Sequence, residues 1–409
     1  MKSASAHPDV NRPTTSEPTI PLGRLASMDA YRGFVMLLMM GEVLEFCRVS
    51  AALPTSAFWK FLCCHQSHVE WIGCSLHDLI QPSFSFLVGV TLPFSLARRA
   101  ADGQPQWHRT MHAFWRALVL VLLGVFLRSI GQPQTYWTFE DTLTQIGLGY
   151  GFLYLLALRS GCVRWIAFVV LLAGYWLAFA LHPIPAANFD ASKVGVPSDW
   201  THQLSGFAAH WNKNTNLACA FDNWFLNLFP RKHPFTHNAG GYATLNFIPT
   251  LGTMILGLIS GGVICSQRSP WAKVKWLVIA GCLGLMAGAT LNGLGVCPIV
   301  KRIWTPSWTL FSGGWCLFLV AGFYVLIDIR NHKCWAFPLI VVGMNSIAAY
   351  VIAHIFVGFI SESLTTHIGA NDFKCFGEVY EPLLKGAFVL LIMWGILFWM
   401  YWRKLFLRV

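Results

Sequence analysis

Stretches of roughly 20 predominantly apolar residues recur along the whole chain, and they constrain its fold more than any other feature. In a bilayer a run of that length must satisfy its own backbone hydrogen bonds, which a helix does. Ten such spans are read, at roughly 29–49, 76–96, 112–131, 143–160, 163–182, 243–265, 273–293, 307–328, 336–360 and 383–402. Composition agrees: 55% of the 409 residues are hydrophobic and only 11% are charged, whereas a soluble domain is about one-quarter charged. The expected fold class is all-α, a polytopic integral membrane protein with about ten transmembrane helices in one bundle.

An even number of spans leaves both termini on one side. If that side is the cytoplasm, the inner segments carry Lys2, Arg12, Arg24, Arg98, Arg99, Arg109, Arg159 and Arg164. Arg268, Lys273, Lys275, Arg330, Lys333, Arg403, Lys404 and Arg408 follow. About sixteen basic residues fall inside against about seven near short outer loops, as the positive-inside rule requires. Topology therefore accounts for the net charge of +11, which gives no argument for nucleic acid. Residues 1–21, rich in Ser, Thr and Pro, read as a disordered cytoplasmic tail. Residues 22–409 read as the transmembrane domain, with a long extracytoplasmic loop at 183–242. The twelve cysteines show no zinc pairing, so no metal is expected. Cys63, Cys64, Cys74, Cys219, Cys297 and Cys375 share the outer side, with room for one or two disulfides that sequence does not assign.

Chemistry concentrates between His65 and Leu96. His65, His68, His77, Glu70 and Asp78 sit against the mouth of the second span, where ionisable groups are costly and hence functional candidates. Histidine also titrates near neutrality, which suits proton transfer. A plainer reading stands beside this one, because Ser75-x-x-Asp78 has the form of a helix capping box. In span one, Asp29 and Arg32 are spaced as helix neighbours, and Glu42, Glu45 and Arg48 are spaced to share one face. Glu42 lies deepest and is expected to face the interior or a water-filled cavity. Arg98, Arg99, Arg109 and Arg116 read either as ordinary inner-face charges or as a phosphate-binding patch. The aromatic and amide residues of the 183–242 loop, among them Trp200, Trp211, Asn212, Asn214 and Trp224, read either as a sugar-binding surface or as an interfacial belt.

Four motifs occur in order. They are Arg24-Leu25-x-Ser27-x-Asp29-x-x-Arg32-Gly33, then His68-x-x-Trp71-x-Gly73-x-x-x-x-Asp78-Leu79-x-x-Pro82, then Leu143-x-Gln145-x-Gly147-x-x-Tyr150, and Gly343-Met344-Asn345-Ser346-Ile347-x-x-Tyr350. The ordered set resembles the heparan-α-glucosaminide N-acetyltransferase family. That resemblance implies a membrane enzyme that takes acetyl from cytosolic acetyl-CoA and places it on an amino sugar across the bilayer. It maps the active-site histidine onto His68 and makes Asp29, Arg32, Asp78, Gln145 and Asn345 pocket or scaffold residues. The additional luminal domain and N-terminal span of eukaryotic members have no counterpart in this reading, which follows the bacterial relatives. Two positions depart from the pattern. Gly41-Glu42-Val43 stands where the family often has an asparagine, and the span-nine histidine is displaced to His354.

The expectation is an acetyl-CoA-dependent amino-sugar N-acetyltransferase of a bacterial inner membrane, with both termini cytoplasmic. His68 would serve as base and Asp78 as its partner. Arg32, Gln145, Asn345, Arg98 and Arg99 would contact the coenzyme, Gln145 or Asn345 also serving as oxyanion donor. The partners are acetyl-CoA, an amino-sugar or glycan acceptor and the lipid bilayer; a homodimer is left open. Two competing classes remain at this point, a sugar or lipid-linked-precursor transporter and an O-acyltransferase of a cell-surface polymer.

Overall fold

The computed structural model describes residues 25–186, 188–369 and 371–407, so the expected 1–21 tail lies outside the described residues. Fifteen α-helices are found there. They are α1 (Ala26–Met40), α2 (Phe46–Ala52), α3 (Ala57–Gln66), α4 (Ile80–Ala101), α5 (Gln106–Ser129), α6 (Thr142–Ala157), α7 (Gly161–Leu181) and α8 (Leu217–Phe225). The remainder are α9 (Phe247–Cys265), α10 (Pro270–Gly293), α11 (Pro306–Phe323), α12 (Phe337–Met344), α13 (Ser346–Ile355), α14 (Val357–Ile368) and α15 (Glu381–Trp402). No β-strand occurs among the described residues. One isolated bridge, Ile72 to Val300, ties the loop before α4 to the loop before α11.

Seven helices are long and apolar enough to cross a membrane: α4, α5, α7, α9, α10, α11 and α15, some with a flanking turn. The other three expected spans are short or broken. α6 has only 16 residues. α12 and α13 meet at Asn345 with a bend of 71°. The first span ends at Met40, passes through a 3-10 turn at Gly41–Leu44, and reverses at Glu45, whose φ of 48° is left-handed. Glu42, Glu45 and Arg48 therefore do not share one helix face, although Glu45 and Arg48 still pair at 2.5 Å. Broken backbone at membrane depth is tolerated where it is buried in protein or lines a cavity, and these three breaks surround the cavities described below.

Helix approach depends on glycine at two seams. A Cβ on Gly89 of α4 would fall on the backbone carbonyl of Met254 in α9. A Cβ on Gly343 of α12 would fall on the carbonyl of Asp29 in α1, and one on Gly33 would fall on Leu339. Only glycine lets these backbones touch.

The long loop folds into a cap that shares a separate core with its neighbours, in which its Trp211 is buried with Trp71 of the loop before α4 and with Tyr175 and Phe179 of α7. Its amides are used in building it. Asn212 exchanges two hydrogen bonds with the Leu204 backbone, at 2.8 and 2.9 Å. Asn214 donates to the carbonyls of Val194 and Asn238, and Asn216 caps α8. The buried Trp211 and these asparagines are therefore taken up by the fold, while Trp200 is half-buried and Trp224 exposed. A disulfide joins Cys47 of α2 to Cys63 of α3. Sequence reading left Cys47 inside the first span, and the early end of α1 is what separates it from that helix.

Candidate active site

The site begins with a carboxylate that local backbone holds in place. Ser75 and Asp78 cap each other at the entrance to α4. Asp78 Oδ2 accepts the Ser75 N–H at 3.0 Å, and Ser75 Oγ accepts the Asp78 N–H at 3.2 Å. The same Oδ2 accepts the Val69 N–H at 3.2 Å, which draws the loop after α3 across the helix mouth. Oδ1 is left for His68, whose Nδ1 lies 2.8 Å away, and for Lys301, whose Nζ lies 3.2 Å away. Lys301 Nζ is also 2.9 Å from His68 Nδ1. The Ile72–Val300 bridge and a Gly73 N–H to Ile299 bond of 3.1 Å bring Lys301 into place. The capping reading and the catalytic reading of Asp78 are therefore compatible.

Asp78 is fully buried and Lys301 nearly so, while the His68 side chain keeps 37% of its surface open. Burial lowers the His68 pKa below its ordinary 6.5 and the Lys301 ammonium adds to that, against the opposing pull of Asp78. Burial also lowers Lys301, which Asp78 counteracts. An ionised carboxylate only accepts and favours a proton on Nδ1, with the lone pair on Nε2, whereas the Lys301 ammonium beside the same nitrogen only donates and favours the other tautomer, so Nδ1 serves one of the two contacts at a time.

His68 and Lys301 line a cavity of about 690 Å³, together with Glu42, His77, Arg128 and Tyr242, at the end of the bundle that the sequence reading expects to be the outer one. A second cavity, of about 330 Å³, is lined by Arg32, Arg99, Arg116 and the Gly343–Ile347 break. Thr142, at the start of α6, and Tyr350, on α13, line both. His68 lies at the N-terminal mouth of α4 and Arg99 in its last turn, about 33 Å along a helix of 22 residues. The two cavities thus approach each other from opposite ends of the bundle.

The chain is 20% identical over 376 residues to human heparan-alpha-glucosaminide N-acetyltransferase, covering 82% of this chain and 53% of that protein. It is similar to heparan-alpha-glucosaminide N-acetyltransferase. The mouse protein of the same name is likewise 20% identical, over 389 residues, covering 85% of this chain and 55% of its own length. The chain spans about half the length of the curated relatives it matches. No family model matches it.

Of the residues singled out for their likeness to heparan-alpha-glucosaminide N-acetyltransferase, His68 and Asp78 meet, and Arg32 lies in the inner cavity. Arg32 also pairs with Asp29 at 3.3 Å. Arg99, read from the basic cluster, lines the inner cavity too, but its neighbour Arg98 is exposed and lines neither cavity. Gln145 and Asn345 are buried, line neither cavity, and spend their amides on backbone. Gln145 donates to the carbonyls of Phe139 and Thr244. Asn345 donates to Leu405 O at 2.9 Å and accepts the Leu407 N–H at 3.2 Å, tying the chain end to the α12–α13 bend. Gln145 Oε1 is buried without a hydrogen-bond partner, and Nδ2 of Asn345 makes one of its two bonds, but neither side chain opens onto a cavity.

Sequence reasoning missed Lys301, which lies 233 residues from His68. It also set His77 aside. His77 is buried beside His68 with ring centroids 4.6 Å apart, and its Nε2 lies 2.9 Å from Glu42 Oε1. His65 accepts the Leu76 N–H at 3.2 Å and serves the loop.

Proposed function

We propose that this protein is a membrane-embedded acetyltransferase that moves an acetyl group from cytosolic acetyl-CoA to the amine of glucosamine or a related amino-sugar glycan on the outer side. The observation that carries the proposal is the pair of neighbouring cavities that share Thr142 and Tyr350 in their linings, one holding Arg32, Arg99 and Arg116 and the other His68 and Lys301. A chain that binds a polar donor on one face and performs acyl transfer on the other needs such a partition.

The residues fit the donor. Arg32, Arg99 and Arg116 supply charge suited to phosphates, and the positive-inside pattern puts Arg99 on the cytoplasmic side. Acetyl-CoA supplies the thioester. In the outer cavity His68 Nε2 takes the proton from the attacking amine. Asp78 holds the ring and balances its transient positive charge, and Lys301 keeps the ring neutral between turnovers. Such a base contributes on the order of 10²–10⁴-fold. Lys301, Arg128, Tyr242 and Tyr350 also line this cavity, so hydrogen-bond donors are at hand for charge developing on the carbonyl oxygen. With over a third of its side chain open, His68 would leave an acetyl-imidazole exposed to water. Direct transfer from thioester to amine is therefore the route proposed.

Purified protein in detergent should release free CoA thiol from acetyl-CoA only when glucosamine is added, and His68→Ala should lower that rate by at least about 10²-fold. Labelled acetyl-CoA without acceptor should leave no label on His68. Glucosamine-dependent release equal in wild type and His68→Ala would remove the proposal. Stoichiometric label that chases into sugar would replace direct transfer with a covalent route.

A further inference from the structure

Three carboxylates line the outer cavity, Glu42, Glu140 and Asp141, and they are not equivalent. Asp141 is used by the fold: its Oδ1 accepts the N–H groups of Leu143 and Thr144 at 2.8 and 3.2 Å and caps α6. Glu140 is largely enclosed, accepts from Asn238 and lies 3.9 Å from Arg128. Burial pushes its pKa up to about 7.

Glu42 differs on each count. Its side chain is 58% exposed, and it lines both the outer cavity and a second, open groove of about 410 Å³ bounded by Glu45, Arg48 and Gln66. His68 and His77 line both spaces as well, so the groove leads inward to the proposed base with Glu42 at the junction. Oε1 of Glu42 faces His77, and Oε2 has no hydrogen-bond partner among the described residues. The nearby cations are engaged elsewhere, Arg48 with Glu45 and Lys301 with Asp78.

The turn that presents Glu42 is also braced. Gln66 donates to the Gly41 carbonyl and accepts the Phe46 N–H, both at 2.7 Å, and the Cys47–Cys63 disulfide closes the same α2–α3 unit. Such a held carboxylate, open to a groove and lacking a permanent cation, is a receptor for one.

We infer that Glu42, oriented by His77, recognises the acceptor in its ammonium form where the groove opens onto His68, so that this chain selects cationic amines over neutral hydroxyl compounds. The inference rests on the acetyl transfer proposed above and deepens it by assigning acceptor selectivity to one residue. The chemistry balances as follows. The bound ammonium loses one proton through the Glu42–His77 pair to water in the groove. The nitrogen then attacks the thioester carbon, the C–N bond forming as the C–S bond breaks. His68 takes the second proton and delivers it to the departing thiolate. An ammonium and an acetyl thioester thus give an amide, a free thiol and one released proton.

Calorimetric titration of the full chain in detergent with glucosamine and with glucose tests the recognition step. Wild type should bind glucosamine about tenfold more tightly than glucose, the scale of one charge-assisted hydrogen bond. Glu42→Gln should erase that preference, and Glu42→Asp should keep part of it. In turnover, Glu42→Gln should raise KM for glucosamine about tenfold. Because the same carboxylate helps to remove the first proton, its kcat with glucosamine should fall too, and by more than its rate with hydroxylamine, an amine uncharged at neutral pH, while its KM for acetyl-CoA should be the parameter least affected. Equal binding of glucosamine and glucose by wild type would overturn the inference. So would a Glu42→Gln variant that loses rate equally with both amines, since that is what a purely structural prop for His77 would do. Preferential glucosamine binding without any CoA release would instead overturn acetyl transfer and leave the ammonium site standing.

Discussion

Replacing Asp78 by Asn tests whether the cluster at the mouth of α4 is one electrostatic unit. The carboxylate is fully buried, and its Oδ1 is shared by His68 Nδ1 at 2.8 Å and Lys301 Nζ at 3.2 Å. Removing the negative charge strands a nearly buried ammonium, a change that costs about 3–5 kcal/mol. Lys301→Met is expected to cost less, because Asp78 would still accept from His68 and from two backbone N–H groups. The double variant should then be more stable than Asp78→Asn alone, since no unpaired charge remains. Unfolding titrations of the four proteins in detergent give the coupling directly. Additive losses, or a double variant less stable than Asp78→Asn alone, would refute the claim that the two residues share one buried pair.

Three other expectations follow from the geometry. Arg99→Gln should weaken apparent acetyl-CoA affinity and its salt dependence while Arg98→Gln leaves both unchanged, because only Arg99 lines the inner cavity; equal effects would point to a surface field. Burial and Lys301 hold His68 below its ordinary value, and the base works when neutral, so the acid limb of kcat/KM should be centred below 6.5. A pH profile with its acid limb centred above 6.5 would contradict this. Gly343→Ala should force α12 off α1 and cost about 1–3 kcal/mol, read as a loss of thermal stability, and wild-type stability would show that the seam is looser than described.

The straight apolar helices were legible because a run of about 20 residues with few charges has one stable solution in a bilayer. The same criterion cannot register a reversal at a single residue. Glu45 and Asn345 lie inside apolar runs, and it is their backbone conformations that break the first and ninth spans. The His68–Asp78 pairing was legible for a local reason, since ten residues and a capping box bring them to one helix mouth. Lys301 was not, because only tertiary structure closes a separation of 233 residues. The loop amides misled because asparagine has the same groups for capping a helix as for holding a sugar. Gln145 and Asn345 misled similarly: the motifs marked them as important, and the structure uses them as clamps on backbone.

The central claim is that one chain joins a donor on one face to an acceptor on the other across Thr142 and Tyr350, which line both cavities. The most direct measurement uses proteoliposomes that enclose glucosamine and receive acetyl-CoA only from outside, sorted for vesicles whose cytoplasmic face is outward. N-acetylglucosamine should accumulate inside while free CoA appears outside, and His68→Ala should abolish both. Product formed only when donor and acceptor occupy the same side would contradict the account, as would equal accumulation by His68→Ala.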